Sequence, residues 1–268
     1  MRWRLRFSVH SMMASKPTYD MKMEFENRLV AIVDVLGWSM ATKTESASIL
    51  FNALEPLMDR CAIHNEEYRQ KLVNDFGDRV NPLMLNVQFG FISDCFILSM
   101  PVNMGSRIYS SVSDIMRKFL NSGFLVRGGV TAGSLFHRDQ IVFGPALVEA
   151  HKIEANDAKF ARVLIDISAI NETGIGQDDA VMKDHLGNYI VDPFPSIATS
   201  PDMKKMLDGF FRLDHLIEIT GENIKKFGIQ PRIRDKWRFQ AKVCALSLGK
   251  YGDVTNDWVE KFNDLSVE

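Results

Sequence analysis

Two aspartates carry the first suggestion of chemistry. Asp34 closes the apolar run Leu29-Val30-Ala31-Ile32-Val33, and Asp94 falls between two short β-prone runs at 84–92 and 95–100. Carboxylates at the ends of buried strands suit a two-metal phosphoryl or nucleotidyl site, because Mg2+ takes oxygen ligands and completes its shell with water and substrate phosphate. The stretch after Asp34 adds the complementary part. Gly37 and its neighbours can aim backbone N–H groups at a triphosphate beside a helix N-terminus. Plainer uses stand next to these. An aspartate at a strand end is also a turn former or a helix N-cap. Arg127 also reads as a strand residue paired with an acid, Lys152 as a solvated lysine, His151 as a surface histidine, Trp38 as a packing residue and Cys95 as a small buried hydrophobe.

The elements that must hold these residues follow from the patterning. Residues 29–33 read as a strand buried on both faces that stops at Asp34. A tight loop follows, then a helix from Thr44 to about Arg60 with Ile49, Leu50, Ala53, Leu54 and Leu57 on one side. Ser93-Asp94 between two apolar runs predicts a hairpin with Asp94 at its tip. Helical spacing over 105–121 leads to a strand at 124–135 whose glycines permit close backbone approach, a turn at His137 to Gln140, a helix at about 145–157 opened by Pro145, and a strand at 162–167. This order predicts an α+β fold, a mixed and partly antiparallel sheet flanked by helices. Beyond Gly174 come amphipathic stretches near 203–227 and 235–248. The expected organisation is a flexible tail over 1–24, a catalytic domain over 25–174 and a helical appendage over 175–268 packed on it.

Composition bounds the rest. The 268 residues are 46% hydrophobic and 25% charged, as in an ordinary globular chain, and 32 basic against 34 acidic residues give a net charge of −2. No global positive field exists to gather nucleic acid or an anionic membrane, and no run approaches the roughly 18 apolar residues of a membrane helix. Cys61, Cys95 and Cys244 are too few and too scattered for a disulfide framework, so a reducing cytoplasm is expected. The Arg-rich first residues lack the apolar core of a secretion signal.

Four segments together carry a resemblance. Ala31-Ile32-Val33-Asp34-Val35-Leu36-Gly37-Trp38-Ser39 resembles the D-x-x-G-F-S/T signature of class III nucleotidyl cyclases, and Phe91-Ile92-Ser93-Asp94-Cys95-Phe96 is similar to their second metal-aspartate hairpin. Val126-Arg127-Gly128-Gly129-Val130-Thr131-Ala132-Gly133 resembles their R-x-G-I-x-x-G strand, and the segment Phe143 to Lys152 occupies their G-x-x-V-N-x-A-x-R helix. The likeness is greatest to the pyrimidine cyclases of bacterial Pycsar anti-phage systems. It implies a head-to-tail homodimer with composite active sites, the 145–157 helix coming from the partner subunit. It implies two divalent cations, Mg2+ or Mn2+, at Asp34 and Asp94 with Val35, and triphosphate held along Val35, Leu36, Gly37, Trp38 and Ser39. The family's asparagine falls at Val148 and its transition-state arginine at Lys152, a point charge without the planar fork of arginine. The purine-reading positions fall near Phe89 and at Ile141, both apolar.

The resemblance therefore implies conversion of UTP, or CTP, to a 3′,5′-cyclic monophosphate and pyrophosphate, with a cyclic-nucleotide-activated effector as indirect partner. Two alternatives remain: a degenerate nucleotide-binding module without turnover, motivated by Val148 and Lys152, and a purine cyclase with unusual base contacts.

Overall fold

In the computed structural model, which describes residues 24–63, 70, 73–75, 77, 87–138, 141–174, 180–197 and 202–267, the apolar run 29–33 is the middle of β1 (Glu26–Leu36). Its side chains alternate between two cores, as a strand's two-residue period requires. Leu29, Ala31, Val33 and Val35 pack with Ile108, Val112 and Phe119 of one helix, whereas Val30 and Ile32 pack with Leu135, Ala146 and Ala150 on the other face. A strand covered on both sides has no polar face, which is why the run is continuous. Contrary to the sequence expectation, β1 does not stop at Asp34. The neighbouring strands offer partners as far as Leu36, which pairs with Leu125, so Asp34 lies inside the ladder opposite Cys95 and Arg127.

The hairpin forms as expected. β2 (Gln88–Ile92) and β3 (Cys95–Pro101) pair antiparallel across Ser93-Asp94, with Ser93 in the left-handed region at φ 61°. The first helical region differs from its expected form. Gly37, at φ 84°, starts α1 (Trp38–Thr44), Glu45 is extended, and α2 (Ala47–Ile63) begins anew. Ser46 accepts the Ile49 N–H and caps α2. Leu50, Ala53 and Leu54 face the core, but Ile49 is exposed. The side chains of Leu57 and Cys61 lie outside the described ones, as do residues 1–23, nearly all of the expected tail, and residues 139–140 of the expected turn.

α3 (Arg107–Asn121) leads to β4 (Leu125–Arg138), the long strand that β5 (Ile141–Phe143) pairs at its far end. Pro145 opens α4 (Pro145–Lys152), which continues as a π-helical turn over Ile153–Asp157. β6 (Val163–Ile165) is shorter than the sequence implies because Asp166 accepts the Ser168 N–H and caps a further helix, α5 (Ile167–Thr173). Beyond Gly174 the sequence reading lacks a hairpin, β7 (Val181–Lys183) and β8 (Tyr189–Val191). The amphipathic stretch 203–227 is two helices, α6 (Met203–Phe211) and α7 (Leu213–Lys226), divided at Arg212 with φ 57°. α8 (Pro231–Leu248) and α9 (Asn256–Val267) follow.

The strands form one mixed sheet in the order β2-β3-β1-β4-β6-β8-β7, with β4 and β6 parallel and the other pairs antiparallel. Helices flank it, as the order of elements predicts. No helix among the described residues is long and apolar enough to cross a membrane.

Candidate active site

Counting by twos along β1 and β4 puts Asp34, Leu36, Arg127 and Leu125 on the same face as Val30 and Ile32. Two helices cover that face from opposite sides. α4 and its π-turn lie over Val30 and Ile32 at one end, while Leu36 and Leu125 pack into a cluster with Trp237 and Ala241 of α8 at the other. Asp34, Cys95 and Arg127 occupy the ledge between them. The backbone of the hairpin tip is bonded to this ledge, since the Val35 N–H donates to the Asp94 carbonyl at 2.9 Å. Asp34 and Asp94 are thus brought close together.

Arg127 organises the charges. Its Nε donates to Asp34 Oδ2 at 3.1 Å and lies 2.7 Å from Glu154 Oε1 on the π-turn, while His151 Nδ1 is 3.4 Å from Glu154 Oε2. The arginine is therefore the acid-paired strand residue of the plainer reading. Glu154 is buried, and its Oε1 has charge contact but no hydrogen bond among the described residues. Burial pushes the Asp34 carboxyl above the ordinary aspartate range, further than the Arg127 hydrogen bond and charge pull it down; Asp94 adds to the rise and Lys236 opposes it. Burial likewise raises Glu154 against Arg127, with Asp34 adding to the rise. The Cys95 thiol, desolvated and facing Asp34, Glu154 and Asp94, is pushed up to about 12, so it stays protonated and unreactive.

Asp34 and Asp94 fit a divalent cation by donor chemistry: two adjacent hard oxygen donors with water and phosphate to complete the shell. Among the described residues no cluster of three or more His, Cys, Asp or Glu side chains that could hold a metal exists. A raised carboxyl holds a proton in the folded state that the unfolded chain has already lost. The metal-free protein is therefore expected to lose stability as pH rises from the ordinary carboxylate range through the raised titrations of Asp34 and Glu154. Thermal melts should show the midpoint falling as pH rises above the ordinary carboxylate range, and Mn2+ should oppose the fall in wild type but not in Asp34→Asn. A flat metal-free profile would count against the buried charge cluster.

The phosphate-loop expectation lands on backbone. Val35 and Trp38 are buried, and the Trp38 ring packs 5.3 Å from that of Phe124, so these two can face a ligand through main-chain groups alone, whereas Ser39 is exposed. No side chain among the described residues caps α1 at Gly37. Lys152 is not brought to the aspartates. It is exposed and donates to Glu149 one turn earlier at 3.0 Å, and Val148 is also exposed on α4. Phe89 is buried in the core against Phe96, while Ile141 is 61% exposed.

Three residues of the site escape the sequence reading. Glu154 follows Lys152 on a turn whose π geometry no periodicity announces. Lys236 and Arg232 come from α8, and Lys236 lies within electrostatic reach of Asp34 and Arg127. Nothing local in the sequence links positions so far apart; the packing of α8 against the sheet does.

No protein-family profile matches the chain, and no curated protein matches it. Solved structures of similar fold include a bacterial light-regulated adenylyl cyclase, 13% identical, TM-score 0.44, over 74% of this chain and 59% of that one. They also include the catalytic core of a rhodopsin-guanylyl cyclase with converted specificity in complex with ATPαS, 15% identical, TM-score 0.41, over 63% and 96%. A class III adenylyl cyclase-like ATP-binding protein from Pseudomonas aeruginosa is 13% identical, TM-score 0.33, over 79% and 48%. The chain thus spans 59% of the length of the light-regulated enzyme.

Proposed function

We propose that this chain is a metal-dependent pyrimidine nucleotide cyclase that converts UTP, or CTP, to the 3′,5′-cyclic monophosphate and pyrophosphate, acting in the cytoplasm as a homodimer and making a second messenger in anti-phage defence. The observation that carries this reading is the Asp34–Asp94 pair, joined through the Val35-to-Asp94 backbone hydrogen bond and followed at once by the Gly37 turn. Two divalent cations held by Asp34 and Asp94, with Val35 beside them, would activate the ribose 3′-hydroxyl and neutralise phosphate charge.

The chain's own residues prepare that chemistry. Arg127 fixes the Asp34 carboxylate through Oδ2 and is itself tied to Glu154, so the carboxylate is held before any ligand arrives. The main chain of Leu36, Gly37, Trp38 and Ser39 offers N–H groups to phosphate oxygens, while Val35, whose own N–H is held by the Asp94 carbonyl, leads into the turn. The 3′-oxygen attacks the α-phosphorus in line and pyrophosphate leaves. Lys152 would act across the dimer, its exposed position on α4 being one that a second copy can reach. The pyrimidine preference is supported by Phe89, committed to the core, and by apolar Ile141, since neither can read a purine edge.

A second reading has its own observation. Asp34 already has a cation partner in Arg127 and Lys152 has an anion partner in Glu149, an arrangement that also suits a nucleotide-binding module without turnover. Incubation with each of the four ribonucleoside triphosphates and Mn2+ or Mg2+, with mass identification of products, separates the readings. A cyclic pyrimidine monophosphate made by wild type and absent with Asp34→Ala is the expected result. A purine product would overturn the base preference, and no product with retained triphosphate binding would favour the second reading.

A further inference from the structure

The ledge around Asp34 has an anionic side and a cationic side, and the cationic side belongs to α8, one of the helices beyond Gly174. Leu36 and Leu125, one step along the strands from Asp34 and Arg127 on the same face, pack with Trp237 and Ala241. Leu164, beside Gly129 in the β4–β6 register and hence also on that face, packs with Phe239 and Val243. α8 therefore lies along the site's face, and Lys236, next to Trp237, is within electrostatic reach of Asp34 and Arg127. Side chains on a helix lean towards its N-terminus, which brings Lys236 over Arg232, one turn earlier.

Lys236 is half-buried, and among the described residues its ammonium has neither a hydrogen bond nor an ion pair. Asp34, the acid within its reach, already accepts from Arg127, which in turn contacts Glu154. Arg127 and Arg232 both repel it; burial and these two charges lower its ammonium below the ordinary lysine range, against the pull of Asp34. Like charges on adjacent helical turns are destabilising, and a third cation in front of them adds to the cost. Such a grouping becomes favourable when a multiply charged anion sits among the cations. Lys152, by contrast, is exposed and neutralised by Glu149.

We propose that Lys236 is a phosphate-binding cation of the Asp34–Asp94 site, supplied by the same chain from α8, and that it grips the polyphosphate tail of a nucleoside triphosphate with Arg232 as its outer neighbour. The choice of nucleotide as ligand rests on the function proposed above. It also gives the C-terminal helices a task in the site, beyond packing.

The test is calorimetric titration of inorganic triphosphate with Mg2+ into the full chain. Lys236→Met keeps the aliphatic stem and removes the charge, and Lys242→Met removes one from the exposed side of α8. Lys236→Met is expected to bind about tenfold or more weakly, with Lys242→Met as wild type and Lys236→Arg within about threefold of it. Equal affinity of Lys236→Met and wild type, or no binding by wild type, overturns the proposal. If Lys236→Met melts early, Lys236→Gln is titrated in its place. Cyclase assays keep the two readings apart: a raised KM with little change in kcat is expected for Lys236→Met. Absence of cyclic product from wild type together with Lys236-dependent triphosphate binding sinks the cyclase reading and leaves this inference standing. Product formed at wild-type KM by Lys236→Met does the reverse.

Discussion

Asp94→Asn is expected to lower cyclic-nucleotide formation by about a thousandfold or more, because a metal contributes several kcal/mol of transition-state stabilisation and each 1.4 kcal/mol or so is a factor of ten. Stability should scarcely move. Asp94 is only partly buried at the tip of a two-residue turn, and what it gives the fold is its backbone carbonyl, the acceptor for the Val35 N–H at 2.9 Å, which asparagine keeps. The expected change in unfolding free energy is within about 0.5 kcal/mol. Asp34→Asn should be as inactive, with an amide oxygen still able to accept from Arg127, whose contact with Glu154 is untouched. Steady-state product formation with saturating Mn2+ and a thermal melt on the same sample measure both. Activity of Asp94→Asn near the wild-type level would remove the hairpin aspartate from the chemistry.

This separation of activity from stability explains which parts of the site were legible. Asp34 and Asp94 stand out because each ends or interrupts a strongly apolar run, and a two-residue turn fixes Asp94 at the tip of its hairpin, which the pairing of β1 with β3 then brings beside Asp34. Patterning along one strand locates such residues without knowing what covers the strand. Glu154 and Lys236 are different. Their place depends on α4 and α8 lying on the same sheet face from opposite ends, which is set by pairs such as Leu36 with Trp237, distant in sequence. The same limit applies to β7 and β8. Each is three residues long, β8 gaining its ladder from β6 and β7 from β8, and no period can be read over so few positions. Lys152 shows the converse. The resemblance puts a charge there, but at helical spacing its nearest opposite charge is Glu149, and within this chain the local pairing is the one made.

Gly128→Ala is expected to cost about 3 kcal/mol and lower the melting temperature by about 6–12 °C. A Cβ on Gly128 would stand 2.2 Å from the Ile32 carbonyl oxygen, a backbone atom of the adjacent strand that no side-chain rotation can move aside. Relief requires β1 and β4 to part, and the next register pair along is Asp34 with Arg127. The substitution should therefore weaken the Asp34 hydrogen bond and lower activity even well below the melting transition, where a purely thermal effect would vanish. Gly129 is tight for another reason, its absent Cβ leaving room for Ile153 and the Ala150 carbonyl of the covering helix, at 2.7 and 2.8 Å. This glycine pair is how α4 and its π-turn come close enough to set Glu154 against Arg127. Gly209→Ala in α6 is the contrast, with nothing within 4 Å of the added carbon and a helical backbone, and should be neutral or stabilising by up to about 1 kcal/mol. Melting of Gly128→Ala with the wild type would mean that β1 and β4 do not approach this closely, and the Asp34–Arg127 geometry would fall with it.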